Sequence, residues 1–263
     1  MMNRKILLII VCLLFYISSF AGEIVLKGVY QGKNLFVMNP FSPSGGFCVT
    51  EVKVNDHKLH DDINSSAFEI DLSTHQLNPG DKLTIVIKHK DGCMPRVLNE
   101  NVIKPSSTFE VKSLKFDLKT STINMETIKE SGSLPYIIEQ YRWNKWIRIG
   151  TIDGLGGYES NTYSVPVTMH SGVNKFRFRQ RDFTNEDRFS REIAVRSPVR
   201  PVTYEPKKPT TTITFSAETE YEIFNSVGTR VLHGKGTTID ISGLPKGDYF
   251  LNYDAFTESL KKR

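Results

Sequence analysis

Residues 212–253 read TITFSAETEYEIFNSVGTRVLHGKGTTIDISGLPKGDYFLNY, and this stretch decides the fold of the C-terminal part of the chain. Apolar and polar residues alternate at 212–215, 221–224 and 238–241, which predicts strands. Turn residues separate these runs, and in the loop that follows them Pro245 presets one turn dihedral while Gly247 accepts a positive φ. The stretch therefore predicts a small β-sandwich over residues 210–263, close to the lower size limit for independent folding.

The same short alternating runs continue upstream, and long helical periodicity is missing. They predict an all-β chain of tandem β-sandwich domains, Ig-like or fibronectin III-like, with a small β-sandwich at the C-terminal end. Residues 22–107 form the first predicted sandwich, in which 24–29 and 34–38 are typical of a hairpin. Residues 108–197 form the second, and the phrase 171–179 resembles the penultimate strand of a fibronectin type III domain. A fold of this kind does not by itself indicate a function.

A proline-rich segment separates the second predicted sandwich from the last one. Residues 198–209 contain Pro198, Pro201, Pro206 and Pro209. Prolines at this density remove ladder hydrogen bonds and favour an extended spacer. The sequence therefore predicts a linker over this segment.

The N-terminus carries the pattern of a secretory signal peptide over residues 1–21. Arg4 and Lys5 precede an apolar run at 6–17, and residues 19–21 supply small residues at the positions that a signal peptidase reads. The run is too short for a comfortable membrane span. The pattern predicts export through Sec and a mature chain without a transmembrane segment.

Charge and cysteine content narrow the class of protein further. A formal net charge of +5 is too mild to argue for nucleic-acid binding. Beyond the predicted signal peptide, export favours a disulfide between Cys48 and Cys93. Two buried free thiols are the alternative, because cysteine is among the most buried residue types. Neither cysteine has a CxxC partner, which argues against a zinc site.

Two motifs in the C-terminal module carry a resemblance to a known family. They are an Ile-Phe-Asn turn that ends in glycine and a Leu-Pro-x-Gly-x-Tyr loop, with a basic chain end at 261–263. The module resembles the type A C-terminal sorting domain of cargo for the type IX secretion system of Bacteroidota. The residues that match the family motifs are Ile223, Asn225, Gly228, Leu244, Pro245, Gly247 and Tyr249.

The resemblance implies a location rather than an activity. A sorting domain of this family is recognised by the secretion machinery after Sec export, carries cargo through the outer membrane, and is usually removed at release or attachment to lipopolysaccharide. The family module typically opens with a Pro-Asn-Pro-like segment, where this chain has residues 204–209 instead. A module retained in a periplasmic or envelope-associated protein is therefore the alternative.

Three other segments contain residue types that perform chemistry in other proteins. Histidines and aspartates at 56–62 would suit a metal, but a solvated loop explains them as well. Cys93 near His89 would suit a thiol nucleophile, but Cys48 is a pairing partner for it. The glycine-rich segment 154–157 lacks the helix and the Lys-Ser/Thr pair of a phosphate loop, and is typical of a flexible strand connection. We therefore predict no catalytic residues, no metal, no cofactor and no enzymatic activity.

Aromatic and basic residues of the second sandwich predict a ligand surface. Trp143 and Trp146 stand at a turn, where exposed tryptophans stack on sugars or anchor a protein partner. Lys175, Arg177 and Arg179 share one face of a strand and would suit an anionic glycan or an acidic partner. The alternatives are a tryptophan in the sandwich core and an ordinary solvated sheet face.

Together these features predict an exported, non-catalytic binding or structural protein of the envelope or cell surface. Its expected partners are the type IX secretion machinery and a cell-surface glycan or protein, and it binds no nucleic acid. Three alternatives stay open: a carbohydrate-binding accessory module, a periplasmic component retained with the secretion machinery, and an unrecognised hydrolase.

Overall fold

The computed structural model describes residues 22–60 and 62–263, and the described chain is all-β, as predicted. The predicted signal peptide, residues 1–21, lies outside the described residues. The chain divides after Pro105 into two compact units. Within the described ranges, no helix is both long and apolar enough to cross a membrane.

The first unit consists of two antiparallel sheets around one apolar core. The four-stranded sheet has the order β1-β6-β3-β4 and the three-stranded sheet the order β5-β2-β7. The strands are β1 (Gly22–Val29), β2 (Leu35–Met38), β3 (Val49–Val54), β4 (His57–Lys58), β5 (Ala67–Ile70), β6 (Lys82–His89) and β7 (Arg96–Val97), with two 3-10 helices at Leu72–His75 and Glu100–Ile103.

The predicted hairpin between 24–29 and 34–38 is wrong. Strand β1 pairs with β6, whereas β2 pairs with β5 and β7 in the opposite sheet. Leu35 and Val37 are fully buried and face the core from that second sheet. Covering the apolar faces of two sheets outweighs the local turn, so the chain crosses between the layers here.

A disulfide joins the two cysteines that the sequence singled out. Cys48 lies directly before β3 and Cys93 after β6, with their Cα atoms 5.9 Å apart. The bond closes a separation of 45 residues, and a cross-link of this length restricts the unfolded chain. The cysteines therefore act on the stability of the first unit.

The second unit begins with a sandwich that we call the middle domain, residues 106–197. Its three-stranded sheet has the order β12-β9-β8; the other has the order β11-β10-β13-β14, and β15 also pairs with β13. Tyr136, Phe176 and Phe178 are fully buried between the sheets. The strands are β8 (Glu110–Asp117), β9 (Thr122–Ile128), β10 (Tyr136–Arg142), β11 (Lys145–Ile152), β12 (Asn161–Pro166), β13 (Val173–Arg181), β14 (Asp187–Phe189) and β15 (Ile193–Arg196).

The second unit ends with a sheet that we call the terminal domain, residues 202–263. Its order is β16-β17-β19-β20, and the long strand β17 also pairs with β18. Ile213, Ile223 and Leu251 are fully buried in its core. The strands are β16 (Tyr204–Glu205), β17 (Thr212–Asn225), β18 (Arg230–Asp240), β19 (Gly247–Tyr253) and β20 (Phe256–Lys262).

The terminal domain begins earlier in the chain than the sequence predicted. The predicted linker 198–209 contributes Val202 and Tyr204 to the core, and Tyr204 pairs with Phe215 of β17. Apolar side chains between the prolines bury themselves against the sheet, so the second half of the segment is not a free spacer. At the C-terminal end, β20 pairs with the whole of β19 within the predicted bounds.

Candidate functional site

The first sorting motif forms the hairpin turn between β17 and β18. Ile223 is fully buried, while Val227 at the tip is 81% exposed. The Asn225 side-chain oxygen accepts hydrogen bonds from the backbone N–H groups of Val227 and Thr229, at 3.2 and 2.9 Å. Gly228 has a φ of 82°, a conformation that glycine adopts without steric cost. The asparagine and the glycine of the motif therefore shape the turn.

The second sorting motif forms the loop that leads into β19. The hydroxyl of Tyr249 donates a hydrogen bond to the carbonyl of Pro245 at 2.8 Å, and Leu244 packs against the core. Lys262 is 7% exposed, and its ammonium group donates to the carbonyls of Ser242 and Leu244. One lysine of the basic chain end therefore closes this loop, a role that the sequence pattern did not reveal.

The turn between β10 and β11 has an unusual backbone. Trp143 and Asn144 have φ values of 55° and 58°, as the two central residues of a type I′ turn require. A bulky side chain in this region is strained, and such strain persists where the surroundings hold the residue in place. The indole N–H of Trp143 donates to the backbone carbonyl of Asp254 in the terminal domain at 3.0 Å. Trp143 therefore contacts the terminal domain.

Two ion pairs flank Trp143 at the same contact. Arg142, whose side chain is 7% exposed, pairs with Glu220. Lys145 donates to Glu222 at 2.6 Å. Burial raises the pKa of Glu222, but hydrogen bonds from Lys145, Asn252 and Arg230 outweigh it and hold this pKa below its usual range. The ion pairs connect the hairpin of the middle domain to strand β17.

A buried carboxylate completes the contact. Asp254 is 3% exposed and lies in the turn between β19 and β20. Its two oxygens accept from the backbone N–H and the hydroxyl of Ser171, at 2.8 and 2.5 Å, and from the N–H of Val202 at 3.1 Å. We call the whole contact the junction; it comprises Arg142, Trp143, Lys145 and Ser171 on the middle domain and Glu220, Glu222 and Asp254 on the terminal domain.

A cleft of about 380 Å³ opens beside the junction. Its lining includes apolar residues of the middle domain such as Ile138 and Val165, and charged residues of the terminal domain such as Glu218 and Lys235. The last two form an ion pair at 2.9 Å. Both domains shape this cleft, so it exists only while they are docked.

Trp146 belongs to a different cluster on the same sheet. The guanidinium of Arg177 lies 4.1 Å from the centroid of the Trp146 ring and 4.1 Å from that of the Phe189 ring. Tyr141 packs edge-on against Trp146, with ring centroids 5.3 Å apart. We call Tyr141, Trp146, Arg177 and Phe189 the ladder. Phe189 is 44% exposed, so the ladder reaches solvent.

Carboxylates of the same sheet neutralise most of the predicted basic stripe. Arg177 and Arg179 contact Glu139 at 2.7 and 3.0 Å. Hydrogen bonds from Arg181 and Arg179 lower the pKa of Asp187 to about 2, although desolvation opposes them. Of the three predicted cations, Lys175 is the one for which no carboxylate partner is found in the described part of the chain.

A buried hydrogen-bond network explains the glycine-rich segment 154–157. Glu130 is 1% exposed and accepts from the hydroxyls of Tyr136 and Tyr163, at 3.0 and 2.8 Å. The N–H of Gly156 donates to the same carboxylate at 2.9 Å. Burial, and then the neighbouring Glu130, raise the pKa values of both tyrosines, which therefore stay protonated as donors. Gly156 therefore joins the segment to the sandwich through Glu130.

His57 and Cys93, which the sequence offered for metal binding and for a thiol nucleophile, make structural contacts instead. Within residues 22–60 and 62–263, no three His, Cys, Asp or Glu side chains are grouped closely enough to hold a metal ion. His57, in the segment 56–62, contacts the carbonyl of Asn55 through Nδ1 at 2.9 Å. Cys93 is bonded to Cys48, and so it offers no free thiol.

Comparison with known families identifies the terminal domain. A model of the secretion system C-terminal sorting domain matches residues 205–263 and confirms the predicted resemblance there. The match begins inside the predicted linker, in agreement with the position of β16. The sorting domain supports export to the cell surface or secretion, and it implies interaction with the type IX machinery.

No curated protein matches the chain. Among solved structures, the chain is similar to a tetra-tandem repeat in the extending region of a large adhesion protein, with 10% identity, a TM-score of 0.30, and coverage of 92% of this chain and 73% of that one. It is also similar to a β-glucuronidase from Ruminococcus gnavus, with 14% identity, a TM-score of 0.21, and coverage of 75% and 38%. For Bacteroides uniformis β-glucuronidase 3 the identity is 10%, the TM-score 0.20, and the coverage 73% and 28%. The chain spans well under half of the glucuronidase chains, and these likenesses are too distant to indicate an activity.

Proposed function

We propose that this chain, whose residues 205–263 match a secretion system C-terminal sorting domain, is an exported, non-catalytic binding or structural protein of the cell envelope or surface. In this proposal the signal peptide, residues 1–21, directs Sec export, and the terminal domain then addresses the protein to the type IX machinery. The middle domain and the first unit are the cargo that reaches the surface.

The observation that carries the proposal is the agreement between the family match and the local structure of the motifs. Asn225 and Gly228 form the first turn, and Pro245 and Tyr249 hold the second loop. These four residues thus maintain the shapes of two loops at the surface of the terminal domain. A recognition signal for a secretion machine requires such defined surface loops.

In this proposal, the ladder of the middle domain is the binding surface of the cargo. We propose that the middle domain is a fibronectin III-like sandwich, and its two sheets, of order β12-β9-β8 and β11-β10-β13-β14, support this proposal. Aromatic residues and arginine are enriched at protein interfaces. In the ladder, Arg177 is fixed between two rings and by Glu139, so its members lose little side-chain freedom on binding.

Cell fractionation tests the export proposal. Cells with and without a working type IX machine are separated into periplasm, membrane and medium, and the size of the product is read in each fraction. We expect surface display or release in the first strain, with loss of the terminal domain, and periplasmic accumulation in the second. Full-length protein in the periplasm of both strains would instead support a component retained with the secretion machinery.

A carbohydrate-binding accessory module is the second candidate, because the partly exposed Trp146 ring would suit a sugar face. A glycan array separates the two candidates. Sugar binding that Trp146→Ala abolishes, and that Trp143→Ala leaves intact, would favour the accessory module. Trp143 is the matched control because it contacts the terminal domain instead.

A further inference from the structure

The junction has the composition of a specific interface rather than of an incidental contact. It contains a tryptophan, an arginine with a 7% exposed side chain and a buried aspartate, which are residue types that dominate binding energy when desolvated. Each charge in it has a partner across the contact or a set of N–H and O–H donors. The two surfaces are thus electrostatically complementary.

The strained turn at Trp143 also indicates that the junction is a specific interface. A tryptophan with a φ of 55° is unfavourable in an isolated hairpin, where asparagine or glycine is preferred. Here its indole reaches the carbonyl of Asp254 and Arg142 stacks 4.3 Å from its ring. The docked terminal domain compensates for the cost of this backbone conformation.

The covalent connection between the two domains is separate from the junction. Residues 198–201 are exposed, with Val199 at 45%, whereas Ser171, Asp254 and Val202 are buried. A protease can therefore reach the connection while Ser171 and Asp254 of the junction stay buried. The contacts of Arg142, Trp143, Lys145 and Ser171 all lie outside this segment and would survive a cut in it.

We propose that the middle domain is a docking partner for its own terminal domain, and that the junction holds the two together after the chain is cut at 198–201. Removal of the terminal domain then takes two steps, a cleavage of the connection and a separate release of the junction. The inference goes beyond the proposed function, because it depends on the junction alone and holds whether or not the terminal domain acts in sorting.

A controlled cut tests the proposal. The recognition sequence of a site-specific protease is inserted between Val199 and Arg200 of the full chain, and the purified protein is cut and run on a size-exclusion column at micromolar concentration. We expect both fragments to elute together as one complex. Separation of the fragments of the otherwise wild-type chain would overturn the proposal.

Variants then identify the residues responsible. Asp254→Ala and Lys145→Met should each weaken the association of the cut fragments, the first by more than about tenfold, since the N–H and hydroxyl of the buried Ser171 lose their acceptor across the contact. Trp146→Ala is the matched control and should co-elute like the parent. Thermal unfolding of the second unit and near-UV circular dichroism, both measured on the uncut variants, show that the variants are folded. If cut Asp254→Ala and Lys145→Met both associate as tightly as the parent, the assigned junction is wrong.

Discussion

Trp143 and Trp146 stand three positions apart on one hairpin, and each lies against an arginine, at 4.3 Å for Arg142 and 4.1 Å for Arg177. The first pair contacts the terminal domain through the indole N–H of Trp143, and the second belongs to the ladder, which reaches solvent. Identical residue types thus have two different roles, and what decides between them is the element that lies opposite. An aromatic-cationic pattern in a sequence predicts a contact surface but not its partner.

The junction and the ladder also differ in where the carboxylates that neutralise their basic residues come from. The junction takes Glu220, Glu222 and Asp254 from the other domain, whereas the ladder takes Glu139 from its own sheet. The ladder is therefore complete within the middle domain. The junction depends on both domains, and changes there should affect docking.

The largest effect is expected for Asp254→Ala. The change leaves two N–H groups and a hydroxyl buried without an acceptor, so the free energy of unfolding of the second unit should fall by about 3 kcal/mol. Chemical denaturation followed by tryptophan fluorescence measures it. Asp248→Ala, an exposed position on β19, is the control and should change stability by less than about 0.5 kcal/mol. Equal effects of the two changes would show that Asp254 does not hold the junction.

Two substitutions of Trp143 distinguish the contribution of packing to the free energy of unfolding from that of backbone strain. Trp143→Ala should lower the free energy of unfolding by about 2 kcal/mol through lost contact area. Trp143→Gly loses the same side chain but adopts the positive φ freely, so it should be more stable than the alanine variant by about 1 kcal/mol. Denaturation curves of both variants give the difference. A glycine variant no more stable than the alanine variant would mean that the turn is not strained.

The charge of Glu222 makes the junction sensitive to acid. Its pKa is below the usual value in the folded chain, so its stabilising contribution is complete above the ordinary pKa of a glutamate and is lost as the pH falls through the lowered value. At neutral pH, Glu222→Gln should cost about 1 kcal/mol. Melting temperatures of variant and parent measured from neutral to acid pH should converge. A difference that persists at the acid end would contradict this role for the carboxylate.

The smallest effect is expected in the ladder. Arg177→Lys removes the planar group between the two rings, which should cost about 0.5 kcal/mol because the site is partly solvated. Co-elution of the cut fragments should be unchanged, and that measurement distinguishes the ladder from the junction. Weaker association of the fragments in this variant would show that the two clusters are coupled.

Periodicity predicted the parts of the fold that depend on one strand at a time. Phe176 and Phe178 alternate with the basic residues of β13, and the structure buries both phenylalanines. The hairpin between β1 and β2 failed because pairing is decided by sequence-distant partners. The position of Tyr204 in the core was missed for a related reason, since the prolines around it obscure a short strand.

In the candidate site, too, the sequence revealed local features but not contacts between sequence-distant residues. The sorting motifs were recognisable because their asparagine, glycine and proline determine the local backbone conformation. Such local effects can be recognised from the sequence alone. Asp254 carries no such signal, because its partners Ser171 and Val202 are distant in the sequence. Its position at a strand turn would have suggested an ordinary solvated aspartate.

Protease accessibility on intact cells tests the sorting role of the terminal domain most directly. The full chain and a chain that lacks residues 205–263 are expressed in cells with a working type IX machine, and an added protease probes the first unit from outside. The full chain should be degraded at the surface or found in the medium, while the truncated chain stays protected in the periplasm. Equal exposure of the two chains would contradict the assignment of residues 205–263 as the export address.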